Sequence, residues 1–352
     1  MNNYLCSFHY ISPFQLFITT NPDYTPSPNN AKVEVLILIQ RGHHMSIGQL
    51  INQVVIIFLL MLLGAAIRKF GFLHLQSIND ITNIALFFLS PMVILKAFQQ
   101  PFSSARMHTF LLTLVAIFVS YLVTIILTKV IFSHVQDPNM RHIVSYGSIY
   151  SNNGFMGVPL AQALFGDVGV FYAVASLIGF NVMSWTHGVS IFHRPNNASW
   201  PQKVRKIIMN PNIIAIIVGL ITFCCSIHFP SIIGQFLTYG SAAFTPISMM
   251  IIGSNLVGIQ LKDIKLGLPA STALLLRNVL YPLVNLMALK LVGVTNTAMS
   301  VTVILAACPV AGLVVLFTLQ AKGDPKPAVT LMSISTILSL VTIPLVFALA
   351  NW

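Results

Sequence analysis

The sequence predicts an all-α polytopic membrane protein: ten transmembrane helices in two inverted five-helix repeats, with crossed, proline-broken fourth and ninth helices. Three observations carry this. First, 56% of the 352 residues are hydrophobic and only 7% are charged, whereas soluble domains carry about 25% charged residues. Second, from residue 49 onward the chain divides into ten apolar runs of about twenty residues, the length a bilayer core requires. Third, the lysines and arginines fall in alternate connections between those runs. The net charge of +11 would suggest nucleic acid in a soluble chain. Here the charges sit in short loops and report topology, so no nucleic-acid partner is expected; the bilayer is.

Residues 1–44 differ from the rest. They hold Asn21-Pro22 and the run Pro26-Ser27-Pro28-Asn29-Asn30, and their first charge is Asp23. With no basic start and no small-residue cleavage site standing out, this does not read as a good signal peptide. It is expected to be a disordered tail or sequence read from an early start codon, with Met45-Ser46-Ile47-Gly48 as the natural beginning. The first repeat is then residues 45–192, followed by a cytoplasmic loop at 193–210 and a second repeat at 211–352.

The spans follow in order. The first covers about 49–67 and stops at Arg68-Lys69. The second, about 77–97, contains Ser90-Pro91, and the third is about 108–131. The fourth, about 142–165, holds Ser151-Asn152-Asn153-Gly154-Phe155-Met156-Gly157-Val158-Pro159, a stretch too rich in amides, glycine and proline to continue a helix. The fifth is about 168–192, and the sixth opens at Pro211, a favourable first-turn position. The seventh, about 232–257, contains Thr245-Pro246; the eighth is about 266–289; the ninth, about 297–319, contains Cys308-Pro309; the tenth is about 327–350.

One alternate set of connections holds Arg68, Lys69, Lys129, Arg141, Arg194, Lys203, Arg205, Lys206, Lys262, Lys265, Lys322 and Lys326; the other holds Lys96, Arg106 and Lys290. Positively charged loops face the cytoplasm. The first set is therefore cytoplasmic, and both ends of the bundle lie outside the cell membrane.

The interruptions repeat. Ser90-Pro91 matches Thr245-Pro246, and Gly157-Val158-Pro159 matches Ala307-Cys308-Pro309, at separations of 155 and 150 residues. Five spans per half is odd, so the second half runs in the opposite sense. Interrupted spans at matching places in inverted halves point to a transporter's binding site, although single prolines in membrane helices are often mere kinks. Asn152 lies eleven residues beyond Arg141, so roughly 16 Å into a core of roughly 30 Å. Both breaks should meet near the midplane, where Pro159 and Pro309 would start half-helices. Their free N–H groups and positive dipole ends would suit an anion.

The run Tyr150 to Leu160, the later Ala306-Ala307-Cys308-Pro309 and the Thr245-Pro246 span together resemble the auxin efflux carrier family, over residues 46–350. The family includes plant auxin exporters and bacterial permeases. The resemblance implies crossing of the fourth and ninth spans at their prolines, a scaffold unit and a moving transport unit, and small organic anions as cargo. A long central cytoplasmic loop, present in the large plant carriers, is absent here, which favours a bacterial-type permease for malate- or malonate-like carboxylates over an auxin carrier. A homodimer is common in such architectures.

The leading substrate-binding candidates are the amides of Asn152 and Asn153 beside Gly154; helix–helix hydrogen bonding is their plainer role. Arg277, eleven residues into the eighth span, is a costly deep charge that would meet a carboxylate, snorkel to the surface or serve a structural contact. Asn181, Asn255 and Cys308 are weaker candidates for the same cavity, as is Asn83, while Gln162 follows the crossover. Pro159 and Pro309 are assigned to the crossover. Asp80 reads as an interfacial charge near a helix start, His187 as an interface histidine and Asp167 as a turn residue. The four cysteines fit no zinc site and no disulfide framework, and no cofactor is expected. Two further readings stay open. A cation-coupled symporter or antiporter of related architecture usually needs buried acidic residues, and none lies at midplane depth. A membrane enzyme or receptor would need a nucleophile–base pair, a metal cluster or an appended domain, and none is apparent.

Overall fold

The computed structural model describes residues 47–192, 208–257 and 267–350, all in the unit that begins at Met45. The expectations for residues 1–44 and for most of the basic loop 193–210 lie outside the described residues, as does segment 258–266. Within them the chain is all-helical. The first helix, α1, is Ile47–Lys69. The second span is α2 (Leu75–Ile84), a wider π turn (Ala85–Leu89) and α3 (Ser90–Ala97). Next come α4 (Ser104–Ile131), α5 (Pro138–Ile149), a π turn at Asn153–Gly157, and α6 (Val158–Met183). A π turn at Ser184–Gly188 leads to α7 (Val189–Phe192). The later part holds α8 (Pro211–Cys224), α9 (Ser231–Leu256), and α10 (Leu268–Leu275) joined through a π turn (Leu276–Leu280) to α11 (Tyr281–Val292). It closes with α12 (Asn296–Ala306), α13 (Leu313–Gln320) and α14 (Lys326–Ala350).

Among the described residues, seven helical stretches are long and apolar enough to cross a bilayer. One of these, Asn153–Phe192, has 40 residues, which would measure about 60 Å if straight. It is not straight. Gly166 adopts φ 59°, ψ −149°, a region that side chains avoid and glycine tolerates. Gly169 consequently packs against the Ala161 carbonyl, eight residues back, and Asn153 reaches Ser176. The chain reverses direction at Gly166. Asp167, expected to be only a turn residue, pairs there with Lys96 at 3.5 Å; both groups are partly exposed, so the pair adds little stability.

The connections fall at two ends. Asn139 Nδ2 donates to the Asp324 carbonyl at one end. At the other, Phe229 N donates to Gln99 Oε1.

Polarity is inverted relative to a soluble bundle. On α4, Thr113, Ser120, Thr124 and Thr128 are buried while Leu111, Val115, Leu122, Ile126 and Val130 face outward. In hydrocarbon, apolar side chains gain nothing by leaving lipid, so close packing and interhelical hydrogen bonds hold helices together. Two packing groups result. In one, α9 lies along α1 and α3, and α8 along α3; in the other, α4, the later half of α6, α11 and α12 pack together; α14 packs against α5 and α12 and equally against α1 of the first group. Gln162 on α6 bridges to α9, donating to Ser241 Oγ at 2.6 Å and accepting from Thr245 Oγ1 at 3.3 Å. The α1–α9 contact is backbone on backbone: a Cβ at Gly64 would overlap Met250 main chain, and one at Gly253 the Met61 carbonyl. Ser254 Oγ seals the contact by donating to Gly64 O at 2.9 Å, and Arg68 Nη1 donates to Ser254 O at 2.6 Å.

Two helices break inside the second group, and the breaks meet. Asp137 caps α5 by accepting from Asn139 N and Met140 N, and Pro138 begins it. The helix ends at Ile149, and Tyr150 is extended (φ −101°, ψ 111°). The chain between α12 and α13 is also opened, and Ser151 pairs antiparallel with Val310. Asn152 N donates to Pro309 O at 2.7 Å, and Ala311 N to Tyr150 O at 3.0 Å. The meeting point therefore differs from the one expected. Pro159 sits beyond the π turn, at the second residue of α6, and Pro309 lies four residues before α13. Neither proline starts a half-helix. Pro309 contributes instead through its carbonyl.

The glycine contact gives a first prediction. Gly253→Ala drives a methyl into main chain that cannot give way, at a cost of about 1–3 kcal/mol, read as a lower midpoint of thermal melting in detergent. Gly234→Ala, where a Cβ meets open space, leaves the midpoint unchanged or raises it.

Candidate functional site

A small cavity lies beside the crossed breaks. Its walls come from α4 (Ile117, Ser120, Tyr121, Thr124), from the first break (Ile149, Ser151, Asn153) and from Ser176 of α6. Arg277, Tyr281 and Asn285 form a third wall, and Thr302 and Ala306 of α12 close it. Its volume, counted at the centres of water-sized spheres, is about 30 Å³; one water needs roughly 10–15 Å³ on that measure. The cavity thus holds about two waters in this conformation.

Arg277 is its electrostatic centre. The residue is 2% exposed. Its Nη1 donates to Ser148 O at 3.2 Å and Ile149 O at 2.6 Å, and its Nη2 donates to Ala306 O. These are the last carbonyls of α5 and α12, groups with no partner inside their own helices. They also carry the negative ends of two helix dipoles. One guanidinium therefore caps both broken helices. Its Nε is buried without a protein partner among the described residues, as is Asn285 Oδ1 on the same wall of the cavity.

The donors expected at the breaks are largely taken. Asn152 Oδ1 accepts from Phe155 N at 3.3 Å, and its carbonyl accepts from Met156 N and Gly157 N. At the other break, Ser335 Oγ accepts from Val310 N at 3.1 Å and donates to Asn278 Oδ1 at 2.7 Å. Carbonyl ends and a guanidinium, rather than free N–H ends, set the field of this cavity.

Of the sequence candidates, Asn153 and Arg277 line the cavity. Asn153 is 3% exposed; its Oδ1 accepts from Ser151 Oγ at 2.8 Å and its Nδ2 donates to Ser176 O at 3.5 Å. Asn152 serves the backbone beside it, and Gly154 lies in the π turn with open space at its Cα. Three others lie elsewhere. Asn181 donates to Leu177 O, one turn back in its own helix. Asn255 is exposed near the end of α9. Cys308 is buried, with Sγ donating to Ile304 O at 3.5 Å. His187 is engaged by Tyr150 Oη at 2.9 Å. Sequence reasoning missed Tyr281 and Asn285, although Arg277, Tyr281 and Asn285 stand at i, i+4 and i+8 on the eighth span. It also missed the matching stripe Ser120, Thr124, Thr128. Thr128 Oγ1 and Tyr281 Oη tie the two stripes together at 2.6 Å.

An apolar exterior, an inward polar lining and a buried charge at paired helix breaks define an integral-membrane transport protein. Comparison with known proteins agrees: a family model described as membrane transport protein matches residues 49–347. The chain belongs to that family, the auxin efflux carriers, which is a transporter family and not an enzyme class. It is 25% identical over 306 residues to an uncharacterized transporter of Methanocaldococcus jannaschii, covering 85% of this chain and 97% of that one. It is 26% identical over 195 residues to another from Methanothermobacter thermautotrophicus, covering 55% of this chain and 63% of that one.

The Ser335 clamp is open to test. Ser335→Ala strips partners from Val310 N and Asn278 Oδ1, both buried, at a cost of about 1–3 kcal/mol. Thermal melting should show that loss, while Ser333→Ala, whose hydroxyl only returns to Val329 O in its own helix, stays near wild type.

Proposed function

We propose that the protein is a secondary transporter of small organic anions, mono- or dicarboxylates of malate-like or auxin-like size, working by alternating access around the crossed breaks. The observation that carries this reading is Arg277, a buried cation facing a cavity with no carboxylate in its lining. The described acidic residues Asp80, Asp137, Asp167 and Asp324 all lie near helix starts or in connections, so cargo is the natural source of negative charge. A deep uncompensated cation costs about 2.5–3.5 kcal/mol on insertion scales and marks a functional site by default.

The cavity is too small for a carboxylate of that size in this conformation, since ligand sites occupy about 300–1,000 Å³. Admission requires the wall groups to part, and the two packing groups, joined through Gln162 and Lys96–Asp167, supply the surfaces along which that movement would run. In this reading the ten spans of the sequence are ten crossings in two inverted halves. The long stretch from Asn153 supplies parts of two crossings on either side of Gly166, and each broken pair, α5 with the first part of α6 and α12 with α13, supplies one. The bundle would sit in the plasma membrane with both ends outside, as a homodimer or alone.

Counterflow in proteoliposomes tests the reading with acetate, malate, malonate and indole-3-acetate. At least one carboxylate should exchange, and Asn152→Ala/Asn153→Ala should slow it by about tenfold or more, since a lost buried hydrogen bond costs about 1–3 kcal/mol. Flux unchanged in the double variant would remove the site assignment. Exchange of a cation with no carboxylate flux would overturn the function.

A further inference from the structure

Two broken helices in this fold turn their carbonyl ends toward one point. Half-helix C-termini and unwound carbonyls in membrane transporters are the groups that coordinate a dissolved coupling cation. Here a side chain fills that position. Arg277 takes Ser148 O and Ile149 O from α5 and Ala306 O from α12 through its two terminal nitrogens. Of its five N–H groups three are used in this way, and the Nε–H has no protein partner among the described residues and belongs to a side chain 98% buried in the cavity wall.

We propose that Arg277 is a tethered counter-cation: it stands where a coupling ion would be recruited, so anion binding at this site requires no dissolved cation. This rests on the organic-anion reading above and deepens it by assigning the charge balance of the same site. Both terminal nitrogens donate to the helix ends, and the Nε–H, with the second Nη2–H, is left for the anion. The carbonyls offset the guanidinium only as dipoles, so its net charge remains for the cargo to neutralise. A carboxylate on Nε makes a charge-assisted hydrogen bond, which is roughly twice as strong as a neutral one. Asn285 Oδ1, also unpartnered and 6% exposed, faces the same space as an acceptor. Carboxylates that carry a hydrogen-bond donor, such as a hydroxyl, would be favoured over those without one.

The test uses the full-length protein in detergent and reads thermal melting against added malate, acetate and indole-3-acetate, each as choline and as sodium salts. Wild type should be stabilised by at least one carboxylate, malate above acetate, with the same apparent affinity within about twofold in both salts. Arg277→Gln should melt earlier and lose about tenfold or more in that affinity. Methylguanidinium should recover part of its melting temperature, and Arg277→Lys should keep part of the anion response. A wild-type response that needs sodium overturns the proposal, as does an unchanged response in Arg277→Gln. If no carboxylate shifts wild type in either salt, while methylguanidinium still rescues Arg277→Gln, the organic-anion reading fails, and the charge-balance proposal with it, but the capping of the two helices stands.

Discussion

The structure hangs on one guanidinium and three carbonyls. A helix that stops inside a bilayer leaves acceptors in a medium with no water to satisfy them. This fold has two such stops side by side. Arg277 satisfies carbonyls from both, and in doing so locks α5 to α12. The antiparallel contact of Ser151 with Val310 and the Ser335–Asn278 clamp then fix the chain beyond each stop. Remove the arginine, and carbonyl ends from two helices face each other across a cavity with no other cation in its wall.

The surroundings follow from the bilayer as solvent. Helices that need not hide leucine from water can turn it outward, and polar side chains gather where helices meet. The stripe on α4 and the stripe headed by Arg277 face each other for this reason, joined at Thr128 and Tyr281. Elsewhere the same constraint selects small residues: Gly64 and Gly253 let α1 and α9 touch through their backbones.

Much of this was legible in the chain. Apolar runs marked the helices, and the amides and glycines after Tyr150 marked a break. The prolines misled, because proline was taken to start a helix where it stands. Asn152 could cap the new turn first, and a wide turn could carry the chain to Val158 before Pro159 came into play. A structural contact was one of the roles open to Arg277, but which groups it would meet was out of reach for a different reason. Its partners are backbone carbonyls, which every residue owns and no sequence pattern displays. Asn255 and Asn181 were chosen for polarity in apolar runs, yet one points out of the bundle and the other bonds its own helix. Tyr281 and Asn285 could have been found by asking which polar residues share a face with Arg277.

That shared face has a geometric source in the π turn at Leu276–Leu280. Along a regular α-helix each residue turns about 100°, so residues eight apart end up about 80° out of line. A wider turn rotates less per residue, about 80°, and so drifts the opposite way over four residues. The stretch from Arg277 to Tyr281 lags, the stretch from Tyr281 to Asn285 leads, and the two errors nearly cancel. Arg277 and Asn285 thereby come to stand almost directly in line along one edge of the helix, about two turns apart. One added residue's worth of slack in the backbone sets the span of the cavity wall, and with it the length of molecule that could bridge the two unpartnered groups.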